Sequence, residues 1–422
     1  MKKYFIAILF IVYSSVANNN LDNLLDYALE ETQKNKLNEI FKVAFKSYNE
    51  GLYDITEAKC KKFLKLSSKT NPKRKYILEL LSNVYFRTKN VWSMKHIVLD
   101  KLYKERNYIP LDFQKKIFVN GYNLLLLKNK NVSKIKAKFS YLFKRKKPFK
   151  LPKKLEKFTP WVNIFPYKGK RVFGENKIYF AKKNLTFYEI GYITDTGYDE
   201  LREANPLLNP FYIKKGMAIF IPRKRLIPAK KPKLNEIYIN LTEKRLFYLI
   251  EVDKKRYIIT FPIGIGTDDN KSPIGKFTIS EKRENPSWYV PKNIKEENPD
   301  LPDVVPPGKD NPLGTRAMRL DASTYLIHGT SKNFGVGLKV SHGCIRLFNR
   351  DVERLYELVD VGTKVNIYEK HVKIDKKDKL IEIHGRKKEI KNIKPMFNID
   401  KYFWEYIKKE KRGSAFVLEL LP

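Results

Sequence analysis

Two short stretches decide how this chain is read: Tyr325-Leu326-Ile327-His328-Gly329-Thr330 and Ser341-His342-Gly343-Cys344-Ile345-Arg346-Leu347. A cysteine attacks only as its thiolate, and it needs a nearby base or positive charge to reach that form. His342 stands two positions before Cys344 and Arg346 two after. Gly343 lets a substrate carbonyl approach the backbone closely, and the N–H groups of Gly343 and Cys344 suit part of an oxyanion hole. The apolar run before His328 reads as a buried strand that Gly329 ends. That sets an imidazole at a strand end facing a loop, where a general base works. Taken singly, a cysteine or a histidine on an apolar strand is a core residue. Taken together, with flanking glycines on short loops, these residues point to a cysteine nucleophile. Two histidines and a cysteine also suit zinc. With no second cysteine in reach and no HxxxH pair, no metal and no cofactor is expected.

Outward from these stretches, the chain reads as β from about residue 234. Ile237, Ile239 and Leu241 alternate, Leu246 to Ile250 and Tyr257 to Pro262 follow, and short polar turns join them. Eight prolines from Pro273 to Pro312 mark a long irregular stretch, of a length that often covers an active site. Asn349 is placed to cap a helix with Val352, Leu355, Tyr356 and Val359 on one face, which Gly362 ends.

These blocks resemble the L,D-transpeptidase (YkuD) family. The resemblance rests on Ile327-His328-Gly329-Thr330 and Ser341-His342-Gly343-Cys344-Ile345-Arg346-Leu347. It is joined by Ser272-Pro273-Ile274-Gly275-Lys276-Phe277, Pro286-Ser287-Trp288, Val305-Pro306-Pro307-Gly308 and Asn311-Pro312-Leu313-Gly314. The last two are similar to the proteobacterial ErfK/YbiS-type branch. The resemblance implies a mainly-β catalytic domain over 234–369. It implies Cys344 as nucleophile and His328 as proton donor and acceptor, oriented by the backbone carbonyl of Gly329. His342 would join the catalytic residues, and with Arg346 would shape a pocket that favours an anionic substrate; Ser341, Gly343, Arg346 and Trp288 would form the oxyanion and substrate site. The thiolate would attack the bond between the diamino acid at position 3 and D-Ala at position 4 of a peptidoglycan tetrapeptide stem. D-Ala would leave, and an amine would resolve the thioester. A second stem as acceptor gives a 3→3 cross-link; a lipoprotein or outer-membrane protein lysine gives an anchor to the wall. Penicillins would mostly fail against such an enzyme and carbapenems would acylate it.

Upstream, Thr186, Phe187-Tyr188-Glu189-Ile190, Gly197-Tyr198, Leu201, Ala204-Asn205-Pro206, Ile213, Gly216 and Ile219-Phe220-Ile221-Pro222 resemble a LysM module over 171–224, with Leu185 where an acid usually stands. The expected order is strand, two helices, strand. The resemblance implies a glycan partner; a spacer domain of the same fold is the plain alternative. Residues 136–170, with Lys144-Arg145-Lys146-Lys147 followed by Pro148 and Pro152, read as a basic linker. From 22 to 135 the pattern is helical. Leu24, Leu25, Ala28 and Leu29 recur at helical spacing. Tyr48 to Tyr85 suggests a repeat of TPR-like helix pairs, which usually bind a protein partner; an ordinary helical domain reads equally well. Residues 1–17 carry a basic start, an apolar run from Tyr4 to Val12 and Ser15-Val16-Ala17, the pattern of a signal peptide. This points to the periplasm and the cell wall. The tail, 370–422, holds a strand at Leu380 to Ile383 and a helix at Tyr402 to Ile407.

The composition fits this multidomain reading. The 422 residues carry 85 Lys+Arg against 46 Asp+Glu, for a net charge of +39, with 26 Tyr and 26 Phe. That apolar content excludes a disordered chain, and two cysteines exclude a disulfide scaffold. The lysines are spread along the chain, so no nucleic-acid partner is expected. Rival readings are a cysteine amidase or L,D-carboxypeptidase on the same scaffold, and a non-catalytic wall-binding scaffold. If Cys60 and Cys344 met, a disulfide would silence the enzyme.

Overall fold

The computed structural model describes residues 18–143, 151–156, 163–229, 231–321, 323–375, 377, 379–385, 400–413 and 416–417. The signal-peptide stretch 1–17 lies outside the described residues, as do 144–150 and 157–162 of the basic linker.

The chain opens with helices α1 (Asn18–Asn49), α2 (Tyr53–Leu66) and α3 (Arg74–Arg87), then α4 (Leu111–Leu127). In α1, Leu37, Ile40, Phe41, Ala44, Phe45 and Tyr48 recur at three- and four-residue steps, and all are buried. The stripe expected around Leu29 forms helix but not core: Leu29 is 65% exposed. The reason is length. A 14-residue α2 spans less than half of a 32-residue α1 at ~1.5 Å per residue, so it covers only the second half.

A small module follows. Lys177–Phe180 pairs antiparallel with Ala218–Ile221, and helices α5 (Phe187–Thr194) and α6 (Tyr198–Ala204) lie between them. Thr186 and Glu189 cap α5 reciprocally. Asn123 of α4 docks this module by pairing with both backbone groups of Ala218, at 2.7 and 2.8 Å.

The β-domain is built from β1 (Asn163–Pro166), β2 (Glu236–Asn240), β3 (Arg245–Val252), β4 (Lys255–Pro262), β5 (Gly275–Glu284), β6 (Arg316–Leu320), β7 (Leu326–His328), β8 (Ile345–Arg346) and β9 (Lys364–Tyr368). Their spatial order is β1-β4-β3-β2-β9-β5-β6-β7-β8. Strand β5 serves two ladders: residues 275–278 pair with β9 and residues 279–284 with β6, with an irregularity between Ile279 and Glu281. The sheet bends there. Helix α7 (Asn349–Leu358) buries Val352 and Leu355 in the core of this domain.

The tail turns back on the start of the chain. Its strand Leu380–Ile383 forms as expected, and so does a helix, α8 (Lys401–Glu410), capped by Asp400. Phe403 and Tyr406 insert among Phe41, Phe45 and Tyr76, with ring centroids 4.8 to 5.2 Å apart. Tyr48 donates to Glu410 at 3.0 Å and Lys116 to its carbonyl at 2.6 Å. The first and last described helices therefore share one aromatic core.

Candidate active site

Strand register gathers the chemistry. In the parallel pair β7/β8, Ile327 faces Ile345 and His328 faces Arg346. Side chains alternate along a strand, so Leu326 and His328 share a face with Arg346 and with Cys344 just before β8. The antiparallel neighbours extend the row. Ala317 pairs with His328 and Arg319 with Leu326, while Arg283 pairs with Ala317 and Glu281 with Arg319. All of these line one cavity of about 490 Å³. Its opposite wall comes from the proline-rich stretch, through Trp288, Tyr289, Asn293 and Ile294. That stretch folds as a hairpin (Trp288–Tyr289 with Val304–Val305) and a short helix, Lys292–Glu297. Asn311 closes its base: the buried amide donates to the carbonyls of Pro286, Val305 and Pro306 at 2.9 to 3.1 Å.

The loop that carries Cys344 is locked locally. Ser341 Oγ donates to the Cys344 carbonyl at 2.6 Å. Gly343 has φ +101°, and a Cβ there would lie 2.6 Å from the Tyr325 ring; only glycine fits. Cys344 is half-buried. Burial pushes its thiol up, opposed by the Leu326 backbone and the charges of Arg346 and Arg319. His328 is 3% exposed. Burial, helped by the Arg346 charge, lowers its imidazole to about 3, against the pull of the Gly329, Leu313 and Pro312 carbonyls. Its buried Nδ1 has no partner at hydrogen-bond geometry among the described residues. Burial and Arg346 thus favour the neutral ring. Arg346 is held low by burial, and its Nε is likewise buried without a partner.

Of the residues singled out from sequence, Cys344, His328, His342, Ser341, Arg346 and Trp288 line the cavity, and the Gly329 carbonyl faces His328. Gly343 sets the turn beneath them. Sequence reasoning missed Arg319, Arg283 and Glu281, which reach the site only through register. It also misread Asn349. This residue begins α7 but caps nothing; Phe348 holds the cap position without a side-chain bond. Asn349 Oδ1 instead accepts the Thr330 N–H at 3.0 Å and the Thr315 N–H at 3.4 Å. It ties the His328–Thr330 corner to the loop whose carbonyls face the imidazole.

Two further expectations meet the structure here. Cys60 and Cys344 are both free; Cys60 is wholly buried among Phe63 and its helical neighbours, while Cys344 lines the β-domain cavity. The disulfide does not form in this arrangement. Among the described residues, one trio has metal-binding spacing, Glu243, Glu382 and His384. None of the three lines the cavity, and Lys373 Nζ already bridges the two carboxylates at 2.8 and 2.9 Å.

Residues 235–367 match the model of the L,D-transpeptidase catalytic domain, YkuD. The probable L,D-transpeptidase YcfS of Escherichia coli K12 is 38% identical over 231 residues, covering 52% of this chain and 71% of that protein. The probable L,D-transpeptidase YbiS of the same strain is 35% identical over 232 residues, covering 52% and 74%. The probable L,D-transpeptidase ErfK/SrfK, also from that strain, is 38% identical over 182 residues, covering 42% and 57%. With the catalytic-domain model matched and relatives 35–38% identical covered to 71% and 74% of their length, the chain belongs to the L,D-transpeptidase family, in the branch of ErfK and YbiS.

Proposed function

We propose that Cys344 attacks the carbonyl after the diamino acid of a peptidoglycan tetrapeptide stem, releases D-Ala and passes the acyl group to an amine. The observation that carries this reading is the shared face of Cys344, His328 and Arg346 along one cavity wall. His328 takes the thiol proton and returns it to the leaving D-Ala nitrogen. The N–H groups of Gly343 and Cys344 receive the developing oxyanion. Arg346, Arg319 and Arg283 make the floor cationic, which suits the carboxylates of a stem peptide. Trp288 contributes an apolar wall for the donor. The acceptor is a second stem or a lysine of a lipoprotein or outer-membrane protein.

The remaining regions serve the same wall-directed activity. The strand–helix–helix–strand module acts as a LysM-like glycan grip, a reading supported by its residue pattern and element order. Helices α1 to α4 act as a TPR-like partner surface. Residues 1–17 direct the chain to the periplasm. Among the described residues no helix is long and apolar enough to cross a membrane.

The test is mass spectrometry of muramidase-digested sacculi after incubation with the protein or with Cys344→Ala. New 3→3 dimers with the active protein alone support the reading. Tripeptides without dimers assign water as acceptor. No change, with Cys344 shown to be reduced, overturns it.

A further inference from the structure

The cavity holds two histidines in unlike settings, and the reaction has two proton transfers. His328 lies on the floor, 3% exposed, with Arg346 beside it. His342 stands at the rim, its side chain 35% exposed. Its Nε2 lies 3.0 Å from Oε2 of Glu297, at the end of the short helix in the covering stretch. That contact joins the two walls of the cavity, because His342 belongs to the nucleophile loop and Glu297 to the cover.

We propose that His342 and Glu297 form a second base dyad that takes the proton from the acceptor amine, while His328 serves the acylation step. This rests on the thioester mechanism above and deepens it. A carboxylate that accepts Nε2–H fixes the tautomer and leaves Nδ1 with a lone pair, the arrangement of a base held by an orienting group. In acylation the Cys344 proton passes to His328 and then to the departing D-Ala nitrogen, so His328 ends the step neutral. In transfer the amine nitrogen bonds to the thioester carbon and the C–S bond breaks. The N–H proton goes to His342 Nδ1, and sulfur leaves as thiolate, which the nearby charges of Arg346 and Arg319 favour. His342 then sheds its proton to solvent through its exposed side, and the thiolate regains one. Protons balance over the cycle.

The geometry favours His342 over His328 for this second step. The acceptor arrives from solvent, past the rim. His342 lines the cavity at that rim, two residues from Cys344, with part of its side chain open to solvent. His342 is therefore the catalytic residue of transfer, and Glu297 its positioning residue.

The experiment uses the full chain, a synthetic tetrapeptide stem as donor and a second stem with a free side-chain amine as acceptor. Intact-protein mass spectrometry follows the Cys344 acyl-enzyme with donor alone, then after the acceptor chase. His342→Ala is expected to acylate and then stall, with transfer slowed about 100-fold, and Glu297→Gln about 10-fold, in the range of general-base contributions. In Glu297→Gln the loss falls on the transfer rate at saturating acceptor, with acceptor KM within about twofold. Added imidazole restores part of the transfer in His342→Ala, which a merely structural role would not allow. Unchanged transfer in both variants assigns the proton to another group and overturns the dyad. Loss of acylation in His342→Ala, with wild type acylating, moves His342 to the first step and also overturns it. A wild-type chain that forms no acyl-enzyme sinks the thioester mechanism instead.

Discussion

The depressed base has a consequence for stability that can be measured without substrate. In the folded chain the His328 imidazole is lowered to about 3 from the ordinary 6.5, chiefly by burial. Between those values the unfolded chain binds a proton that the native state refuses, so stability falls as pH falls through 6.5 and stops falling near 3. At ~1.4 kcal/mol per pH unit, a drop to about pH 5 costs ~2 kcal/mol through His328 alone. The assay is urea unfolding of wild type and His328→Asn near pH 7.5 and near pH 5, following the β-sheet transition by circular dichroism. Glu200, Glu382 and Asp199, held low, and Glu203 and Asp351, pushed up, titrate in both proteins and cancel in the comparison. The acid-induced loss should be ~2 kcal/mol smaller in the variant. Equal losses would refute the reasoning, because they would mean the native ring is hydrated or charged. Burial acts alike on both groups of the cavity, disfavouring the charged imidazole of His328 and the thiolate of Cys344.

Three other perturbations follow from single contacts. Gly343→Ala puts a Cβ 2.6 Å from the Tyr325 ring at φ +101°; the strain of about 1–3 kcal/mol should displace Cys344 and cut acylation at least tenfold, read by mass spectrometry. Glu200→Ala strips the carboxylate from between the buried guanidinia of Arg225 and Arg245, the latter 2.6 Å away, and should cost about 3–5 kcal/mol in denaturant unfolding. Asn349→Ala leaves the Thr330 N–H without its acceptor, at about 1–3 kcal/mol. Its acylation rate should fall more than its affinity for donor, because the His328 corner loosens; an unchanged rate would reduce Asn349 to a packing role.

That Cys344 and His328 belong to one candidate site was legible because their signals are local. A glycine-flanked cysteine with histidine and arginine two residues away, and a histidine ending an apolar strand, need no knowledge of the fold. The alternating strands and the helical start were legible from periodicity. The rest depends on pairing. Arg319, Arg283 and Glu281 reach the cavity through the β5–β6–β7 register, and an irregularity at Ile279/Glu281 shifts that register by an amount no single-sequence pattern encodes. Asn349 looked like a cap because asparagine before a helix usually is one; its amide is diverted by two loops that meet there only in the folded state. The α8 pattern predicts a helix, but not that Phe403 and Tyr406 pack on Phe41 and Phe45, more than 350 positions earlier.

The same nonlocality explains how the Cys344 loop is held in place. The loop from His328 to Cys344 is braced from behind by the strand–helix–helix–strand module. Gly337 sits so close to Gly197 and the Tyr198 N–H that a side chain there would strike their backbone, and the Gly337 N–H donates to Ile263 at 3.0 Å. Arg346 is pinned by Gly264 in both directions, at 2.8 and 2.9 Å. On the far side of α7, the buried Asp351 carboxyl is pushed well above the usual carboxylate range by burial and by Asp195 of the module, with Arg350 stacked on Tyr192 at 4.1 Å. Pushing the Asp351 carboxyl toward its neutral form eases the opposition of two buried carboxylates where module and domain meet. The module therefore has a mechanical task whether or not it grips glycan. It supplies the rigid backing on which the Cys344 loop, the His328 corner and the first turn of α7 converge, and a cavity whose reacting groups must keep their spacing to fractions of an ångström depends on such backing.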